Sequence, residues 1–380
     1  MNFDLTEEQQ ALRRSVRAFA EKEIRPSVRE WDEAQELPRE LVRGLGALGV
    51  LGALLPEDVG GAAMGYVEFA LIMEELARVD PSIALIVAAQ SSLCASHIDH
   101  NGSPEQRKKY LPSLASGEWV GCWSLTEPSS GSDAAAAKAT AVKDGGYWVL
   151  NGSKSFVTNA PKADVFVVMA VTDPSSRRRR ISAFIIEKGT PGLEVARKED
   201  KLGMRASETA QLHLSDCRVP KANLIGKQGE GFLQTMKNLA HGRVSIAGLS
   251  VGIAQGAFEQ AVAYAKQRKQ FGKPIAEFQA IQDKLADMAT QIEAARMLTL
   301  RAGWLCDEGR PNAEFSAMAK LYASEAAVRI ADQALQVHGG YGFIKDYPIE
   351  KFYRDVKLMT IGEGTSEIQR MVIARQILKS

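Results

Sequence analysis

The stretch Trp123-Ser124-Leu125-Thr126-Glu127-Pro128-Ser129-Ser130-Gly131-Ser132-Asp133 divides two kinds of sequence. Upstream of it, to about residue 119, the helix signals run without a break. Thr6-Glu7-Glu8-Gln9 reads as a capping box opening a helix to about Trp31, with a kink at Pro26. Leu37-Pro38 precedes a second helix that ends at Gly44, Gly46 and Gly49. Tyr66–Val79 has amphipathic spacing, and Asp80-Pro81 is an N-cap with proline at the first helical position of an apolar helix, Ser82–Ile98. Ser103-Pro104-Glu105 opens one more helix, through Leu114.

Downstream the period changes. Tyr147-Trp148-Val149-Leu150, 164–172, 181–187 and 211–214 are short apolar or β-branched runs. Turn residues separate them: Asp144-Gly145-Gly146, Asn151-Gly152, Asp173-Pro174 and Lys188-Gly189-Thr190-Pro191-Gly192. Adjacent strands with short turns imply antiparallel pairing, hence a β-sandwich or barrel. From about Phe232 the chain is helical again, over 232–267, 275–308, 313–337 and 366–380, with alanine-rich faces that fit a bundle. The expected fold is therefore α+β and multidomain: an N-terminal helical domain (1–119), a middle antiparallel β-sandwich or barrel (120–231) and a C-terminal four-helix bundle (232–380).

Composition narrows the class. The chain has 380 residues, 45% hydrophobic and 24% charged, with a net charge of +1. That balance gives no electrostatic reason to expect nucleic acid or an anionic membrane as a partner. No apolar run reads as a membrane span, and the N-terminus Met1-Asn2-Phe3-Asp4-Leu5 lacks a signal pattern, so a cytoplasmic location is expected. Cys94, Cys122, Cys217 and Cys306 are scattered and read as small hydrophobes, and His97 and His100 have no acidic partner pattern, so no metal is expected. Arg177-Arg178-Arg179-Arg180 reads as a solvated hairpin tip, since no aromatics interleave it. Gly226, Gly229 and Gly231 precede a helix, but their spacing is neither a dinucleotide fingerprint nor a P-loop, and they read as a connecting turn.

Four segments could carry chemistry. The hydroxyls and free N–H groups of 123–133 could cradle an anion or the polar edge of a ring. Asn151-Gly152-Ser153-Lys154-Ser155-Phe156-Val157-Thr158-Asn159 reads as a hairpin followed by a strand. Arg268-Lys269-Gln270-Phe271-Gly272-Lys273-Pro274-Ile275 puts a cation near a helix break. Ile361-Gly362-Glu363-Gly364-Thr365-Ser366-Glu367-Ile368-Gln369 sets one carboxylate between two glycines, just before a helix capped by Thr365-Ser366. Ile368, Met371, Val372 and Ile377 would be that helix's packed face. Gly-Glu-Gly describes an ordinary surface turn as well as a seat for a general base.

These segments resemble the signatures of the acyl-CoA dehydrogenase family, in the expected α–β–α order from Leu5 to Leu378. The 123–133 stretch is similar to the family's flavin loop, Thr-Glu-Pro-x-x-Gly-Ser-Asp. The resemblance implies FAD as cofactor, with Thr126 on the flavin pyrimidine edge, Trp123 and Leu125 lining the ring, and Ser132 serving the diphosphate or CoA. Phe156 would pack on the isoalloxazine, and the Thr158 hydroxyl would face flavin N5, which becomes electron-rich as it accepts hydride. Arg268, Phe271 and Gln279, with Gln336, Val337, Gly339 and Gly340, would reach the diphosphate and adenylate of a flavin held by a neighbouring subunit, completed by Thr365 and Glu367.

By the same resemblance Glu363 is the base that removes the α-proton of an acyl-CoA thioester while the β-hydride passes to flavin N5, leaving a trans-2-enoyl-CoA. The Glu363 N–H and a flavin ribityl hydroxyl would polarise the carbonyl, with Arg243 and Gly364 among the substrate contacts. The family also implies a homotetramer, electron-transfer flavoprotein as acceptor, and a place in fatty acid or amino acid catabolism. A flavin-dependent oxidase and a non-catalytic flavin-binding relative share the fold. Several positions depart from the family pattern. Some members carry the base on the first C-terminal helix, where this chain has Gly242-Arg243. Ala240 stands where many have aspartate. Gly362 replaces the tyrosine beside the base, which implies room for α-branched, cyclic or aromatic acyl groups. Ala84 occupies the place of the arginine of glutaryl-specific members, against a dicarboxyl substrate.

Overall fold

The computed structural model describes residues 4–176, 179–310 and 312–378. The helical N-terminal part comprises α1 (Glu7–Phe19), α2 (Val28–Ala34), α3 (Arg39–Ala47), α4 (Tyr66–Ala77), α5 (Pro81–Val87), α6 (Ser96–Asn101) and α7 (Pro104–Ala115). The Thr6 capping box forms, with the Gln9 N–H on the Thr6 hydroxyl at 3.2 Å and the Thr6 N–H on the Gln9 amide oxygen at 3.0 Å. The first helix does not simply kink at Pro26. It passes through a π turn, Ala20–Ile24, and a 3₁₀ turn, Arg25–Ser27, before α2, because proline cannot donate to the helix ladder.

A second π segment, Ala88–Ala95, joins α5 to α6. Together they make a helix, Pro81–Asn101, that is long and apolar enough to cross a membrane, contrary to the expectation that no run qualifies. Its apolar window is 94% buried inside the protein, so the hydrophobicity is that of a core helix.

The middle part holds β1 (Gly121–Ser124), β2 (Thr140–Asp144), β3 (Tyr147–Thr158), β4 (Val165–Val171), β5 (Ile181–Glu187), β6 (Leu193–Lys198), β7 (Thr209–Pro220) and β8 (Leu224–Ile225). The sheet order is β6-β7-β3-β2-β4-β5-β8, with β1 also on β4. Most pairs are antiparallel, as expected, but β1 runs parallel to β4, and β2 touches β4 in parallel only through Thr140 and Val171. That weak join divides the sheet in two. One core fills the space between the halves, with Phe166, Val168 and Ala170 of β4 facing Leu150, Leu212 and Val219. The alternate β4 residues Val165, Val167 and Met169 pack on Ile98, Leu111 and Leu114 of the helical part. A strand buried on both faces loses its alternation, which is why 165–171 is apolar throughout.

Asn151-Gly152 is not a turn. It lies inside the 12-residue β3, at a bulge where the register slips between Leu150 and Gly152. Gly152 has φ 140°, and a Cβ there would sit 2.7 Å from Ala139, so close strand approach explains the glycine.

The C-terminal part comprises α8 (Gly231–Gln267), a β9 (Lys269–Gln270) and β10 (Lys273–Pro274) hairpin, α9 (Gln279–Asp307), α10 (Ala313–His338), α11 (Ile349–Asp355) and α12 (Ser366–Ile377). Gly248 and Gly252 of α8 lie against the α4 backbone, where added Cβ atoms would meet Ala70 O at 2.8 Å and Glu74 O at 2.4 Å. The parts are bolted together by a buried ion cluster: Lys351 binds Asp80 at 2.7 Å and Asp355 at 2.6 Å, while Asp355 also accepts the Met204 N–H. The Gly229 N–H binds the Ser182 hydroxyl at 2.8 Å, consistent with a connecting turn at Gly226–Gly231. Arg177 and Arg178 lie outside the described residues, as do Met1, Asn2, Phe3, Lys379 and Ser380.

Candidate functional site

Glu363 lies on the turn between the Val356–Thr360 3₁₀ segment and α12. Two successive residues take left-handed backbone, Glu363 with φ 51° and Gly364 with φ 97°. This costs little at glycine and about 1 kcal/mol or more at glutamate, so other contacts must hold it. Thr365 caps α12, accepting the Ile368 N–H at 3.3 Å. The packed face of α12 is not the expected one: Met371 and Ile377 are exposed, and the buried side chains are Ser366 and Gln369. Gln369 is drawn inward because its amide donates to the Glu363 carbonyl at 3.2 Å and the Gly364 carbonyl at 3.0 Å.

The Glu363 carboxylate points into the junction of three helices. Its Oε2 is buried with no hydrogen-bond partner among the described residues. It rests against α8 at Gly242, whose added Cβ would lie 2.5 Å from Oε2 and 3.2 Å from Leu93 Cδ2. Arg243 of α8 and Lys320 of α10 are buried nearby. Burial raises the Glu363 carboxyl to about 7, against the opposing pull of Lys320 and Arg243. Burial lowers Lys320 to about 8, with Glu363 pulling the other way. An ionisable carboxylate, desolvated and unpartnered, poised near neutrality, is what proton abstraction at carbon asks for.

The residues expected to hold a ring gather on the middle sheet. The 123–133 loop leaves β1 and is pinned to β3: the Ser155 N–H donates to Thr126 O at 2.8 Å, and Lys154 donates to Leu125 O at 3.2 Å. Lys154, fully buried, pairs with Glu127 at 2.8 Å, and Glu127 also accepts the Lys138 and Ala139 N–H groups. A second bulge in β3, between Lys154 and Val157, turns Phe156 outward. Its backbone is left-handed at φ 56° and its ring 68% exposed. A strained residue presenting a bare aromatic face beside Leu125 and Thr126 fits a flat ring ligand. Thr158 is half-buried farther along β3, and Ser132 is exposed on the loop.

Trp123 donates its indole N–H to His97 Nδ1 at 3.2 Å. Because the indole only donates, His97 carries its proton on Nε2, which then meets Gln234 Oε1 at 3.3 Å. Burial pushes His97 down to about 4, so the ring is neutral, and both of its nitrogens are engaged by Trp123 and Gln234.

A separate cavity of about 590 Å³ lies where α8 and α10 end. Arg268, Val337, Gly339 and Gly340 line it, with His338 between them, as do Tyr264, Tyr341 and Ile344, which the sequence did not single out. The Arg268 guanidinium lies over the Tyr341 ring at 5.4 Å. Phe271, 93% exposed, sits edge-on to Phe278 outside the cavity lining, and Gln279 and Gln336 are exposed outside it as well. Thr365 and Glu367 stay with the Glu363 turn. Within one chain the predicted residues thus form three groups: the β3 face, the Glu363 junction and this cavity. The roles of Lys320, Gln369 and Leu93 were missed; for Lys320 the sequence signal was a lysine among the alanines and serines of a buried helix face.

Three family models cover almost the whole chain: the acyl-CoA dehydrogenase N-terminal domain over residues 6–118, the middle domain over 122–217 and the C-terminal domain over 229–378. The chain is 48% identical to a probable acyl-CoA dehydrogenase, YngJ, of Bacillus subtilis, with 100% of each chain covered. Among solved structures it is similar to butyryl-CoA dehydrogenase from Megasphaera elsdenii, with 41% identity, a TM-score of 0.97 and 100% of both chains covered. A chain solved in work on the electron transferring flavoprotein of Acidaminococcus fermentans matches at 46% identity and a TM-score of 0.99, again with 100% of both covered. With its three parts each matched in order, this chain belongs to the acyl-CoA dehydrogenase family, a family of flavin-dependent oxidoreductases.

Proposed function

We propose that the chain is an FAD-dependent dehydrogenase of a short acyl-CoA, with Glu363 removing the α-proton. The observation that carries this is the Glu363 carboxylate oxygen, buried and unpartnered against Gly242, with its carboxyl raised to about 7. FAD, when bound, supplies a two-electron acceptor for the hydride leaving the β-carbon. Phe156, Thr158, Trp123, Leu125 and Thr126 would hold its ring system, and Ser132 its diphosphate or the CoA. Arg268, Val337, Gly339 and Gly340 would serve the adenylate end of a neighbouring subunit's cofactor, in a homotetramer.

Glu363 takes the α-proton, and its own N–H helps polarise the thioester carbonyl. Arg243 and Lys320 oppose the rise that burial imposes on Glu363, so that a good part of the base is ionised at neutral pH despite its desolvation. The bound acyl chain excludes water from this junction, which keeps the carboxylate reactive. The product is the 2-enoyl-CoA, and a flavoprotein that carries electrons is the acceptor.

Butyryl-CoA, the substrate named for the Megasphaera enzyme, is the reference compound. Gly362 widens the choice. A Cβ there would meet nothing closer than Leu358 O at 3.5 Å, so a side chain fits at this position, and its absence leaves room beside the base for α-branched, cyclic or aryl groups. Ala84 offers no charge for a distal carboxylate. The test is an anaerobic titration of the purified protein with butyryl-, isobutyryl-, 2-methylbutyryl-, cyclohexanecarboxyl- and phenylpropionyl-CoA. Bleaching of the flavin band near about 450 nm is expected. A flavoprotein that none of these bleaches would refute the assignment, and a strong preference for the straight chain would refute the role given to Gly362.

A further inference from the structure

The base sits on a turn that its own sequence does not stabilise. Glu363 and Gly364 are both left-handed, and their carbonyls turn inward toward α10 and α12. Two side chains meet them there. Lys320, 0% exposed on α10, donates from Nζ to the Gly364 carbonyl at 2.7 Å. Gln369, also 0% exposed, donates its amide to both carbonyls. Among the described residues no carboxylate lies within ion-pair distance of Lys320, unlike the buried Lys154 and Lys351, each of which has one. A buried ammonium without a counter-ion is costly. Placing it on a carbonyl of the catalytic turn, facing the base, calls for a reason.

We propose that Lys320 and Gln369 are positioning residues that clamp the Glu363–Gly364 turn, and that the Lys320 charge sets how readily Glu363 is ionised. The inference rests on Glu363 being the base. Two separate roles follow from the chemistry of the two groups. Gln369 supplies donors and no charge, so it acts only through geometry. Lys320 supplies one donor and a positive charge, so it acts through both. The charged surroundings are few. Glu363 faces Lys320 from α10 and Arg243 from α8, and the contacts from Gly242 and Leu93 are uncharged. Lys320 feels Glu363 and Arg243, and more weakly Glu325 of α10 and Glu367 of α12. Removing Lys320 leaves Arg243 alone to oppose burial, so Glu363 would take up its proton at higher pH.

The experiment uses the flavin-loaded enzyme, with butyryl-CoA or whichever thioester bleaches the wild type best. If none does, the proposed function fails and the clamp is judged on exchange alone. Three variants separate the roles: Lys320→Met removes donor and charge, Lys320→Gln removes the charge and leaves only a shorter, weaker donor, and Gln369→Leu removes the amide donors at similar volume. Expected for Gln369→Leu is a fall in kcat of about tenfold or more, with KM and the acid limb of the pH profile unmoved. Expected for Lys320→Gln is an acid limb shifted upward by about half a pH unit or more. Should Lys320→Met fail to fold, the other two still decide. Amide hydrogen exchange gives a readout independent of turnover: residues 361–366 should exchange faster in each variant while the middle sheet is unchanged. Wild-type kcat, acid limb and exchange in Lys320→Gln and Gln369→Leu would overturn the proposal.

Discussion

Replacing Gly242 by alanine adds a single methyl at the point of contact with the base. The new Cβ would stand 2.5 Å from Glu363 Oε2 and 3.2 Å from Leu93 Cδ2, where ordinary contact begins at 3.4 Å. Leu93 can yield the few tenths it owes. The carboxylate must retreat by about 1 Å, and it is the group that gives way, since it ends a side chain whereas Gly242 is in the middle of α8. Alanine is the better helix former by about 1 kcal/mol, so the fold should be kept or slightly strengthened. A displacement of about 1 Å at a catalytic group costs roughly 10²-fold in rate. The assay is stopped-flow reduction of the flavin by butyryl-CoA under anaerobic conditions, with flavin content and thermal midpoint measured on the same sample. The expected result is full flavin, an undiminished midpoint and reduction slowed by about two orders of magnitude. Reduction at the wild-type rate would refute the placement of the carboxylate against α8, and with it the assignment of Glu363 as base.

Three further outcomes follow from the same geometry. Because the base works ionised and burial raises its carboxyl to about 7, kcat/KM should climb about tenfold from pH 6 to 8, with about a tenth of the base ionised at the lower pH; a profile flat across that interval contradicts it. Gly362→Tyr should fold, since its Cβ meets only Leu358 at 3.5 Å or more, and should cut turnover of aryl and cyclic thioesters about tenfold relative to butyryl-CoA; an unchanged ratio argues that the pocket opens elsewhere. Lys154→Met would strand the buried Glu127 carboxylate and release the Leu125 carbonyl, costing about 3–5 kcal/mol. That should appear as a lower thermal midpoint and flavin lost on gel filtration; retention of both would mean the 123–133 loop is held by other contacts.

The three-part order was legible because the period of apolar residues changes from helix to strand and back. Detail failed where one residue's local preference was outvoted by its neighbours. Asn151-Gly152 has the composition of a hairpin turn, but the chain turns earlier, at Gly145-Gly146, and Gly152 is glycine because Ala139 of the adjacent strand presses on it. β1 went unread because its four residues, Gly121–Ser124, gain their place by parallel pairing with β4, a partner more than forty residues away in sequence. Pro81–Asn101 satisfies the arithmetic of a membrane span, and only packing tells that its apolar surface is spent on β4 and α8.

At the site, motif letters pointed to Glu363 and to the residues proposed to hold the ring, but not to what would fit Glu363 for the role of base. Gly242 reads in sequence as an absence, the missing carboxylate of members that carry the base on that helix. In the fold it is the space that a carboxylate from the opposite direction needs: any side chain at 242 would occupy the volume of Oε2. The two positions therefore exclude one another physically, and a carboxylate can enter this junction from α8 or from the α12 turn but not from both. Lys320 is hidden for the complementary reason. Its neighbours Ala317, Ala319 and Ala323 mark a buried helix face, and a lysine there reads as an exposed residue or an exception until the Gly364 carbonyl is brought to it by a turn forty residues later. What the motif leaves unsaid is the pair of constraints that makes the carboxylate useful, room on one side from Gly242 and a clamp on the other that Gln369 shares with Lys320, a residue outside the motif.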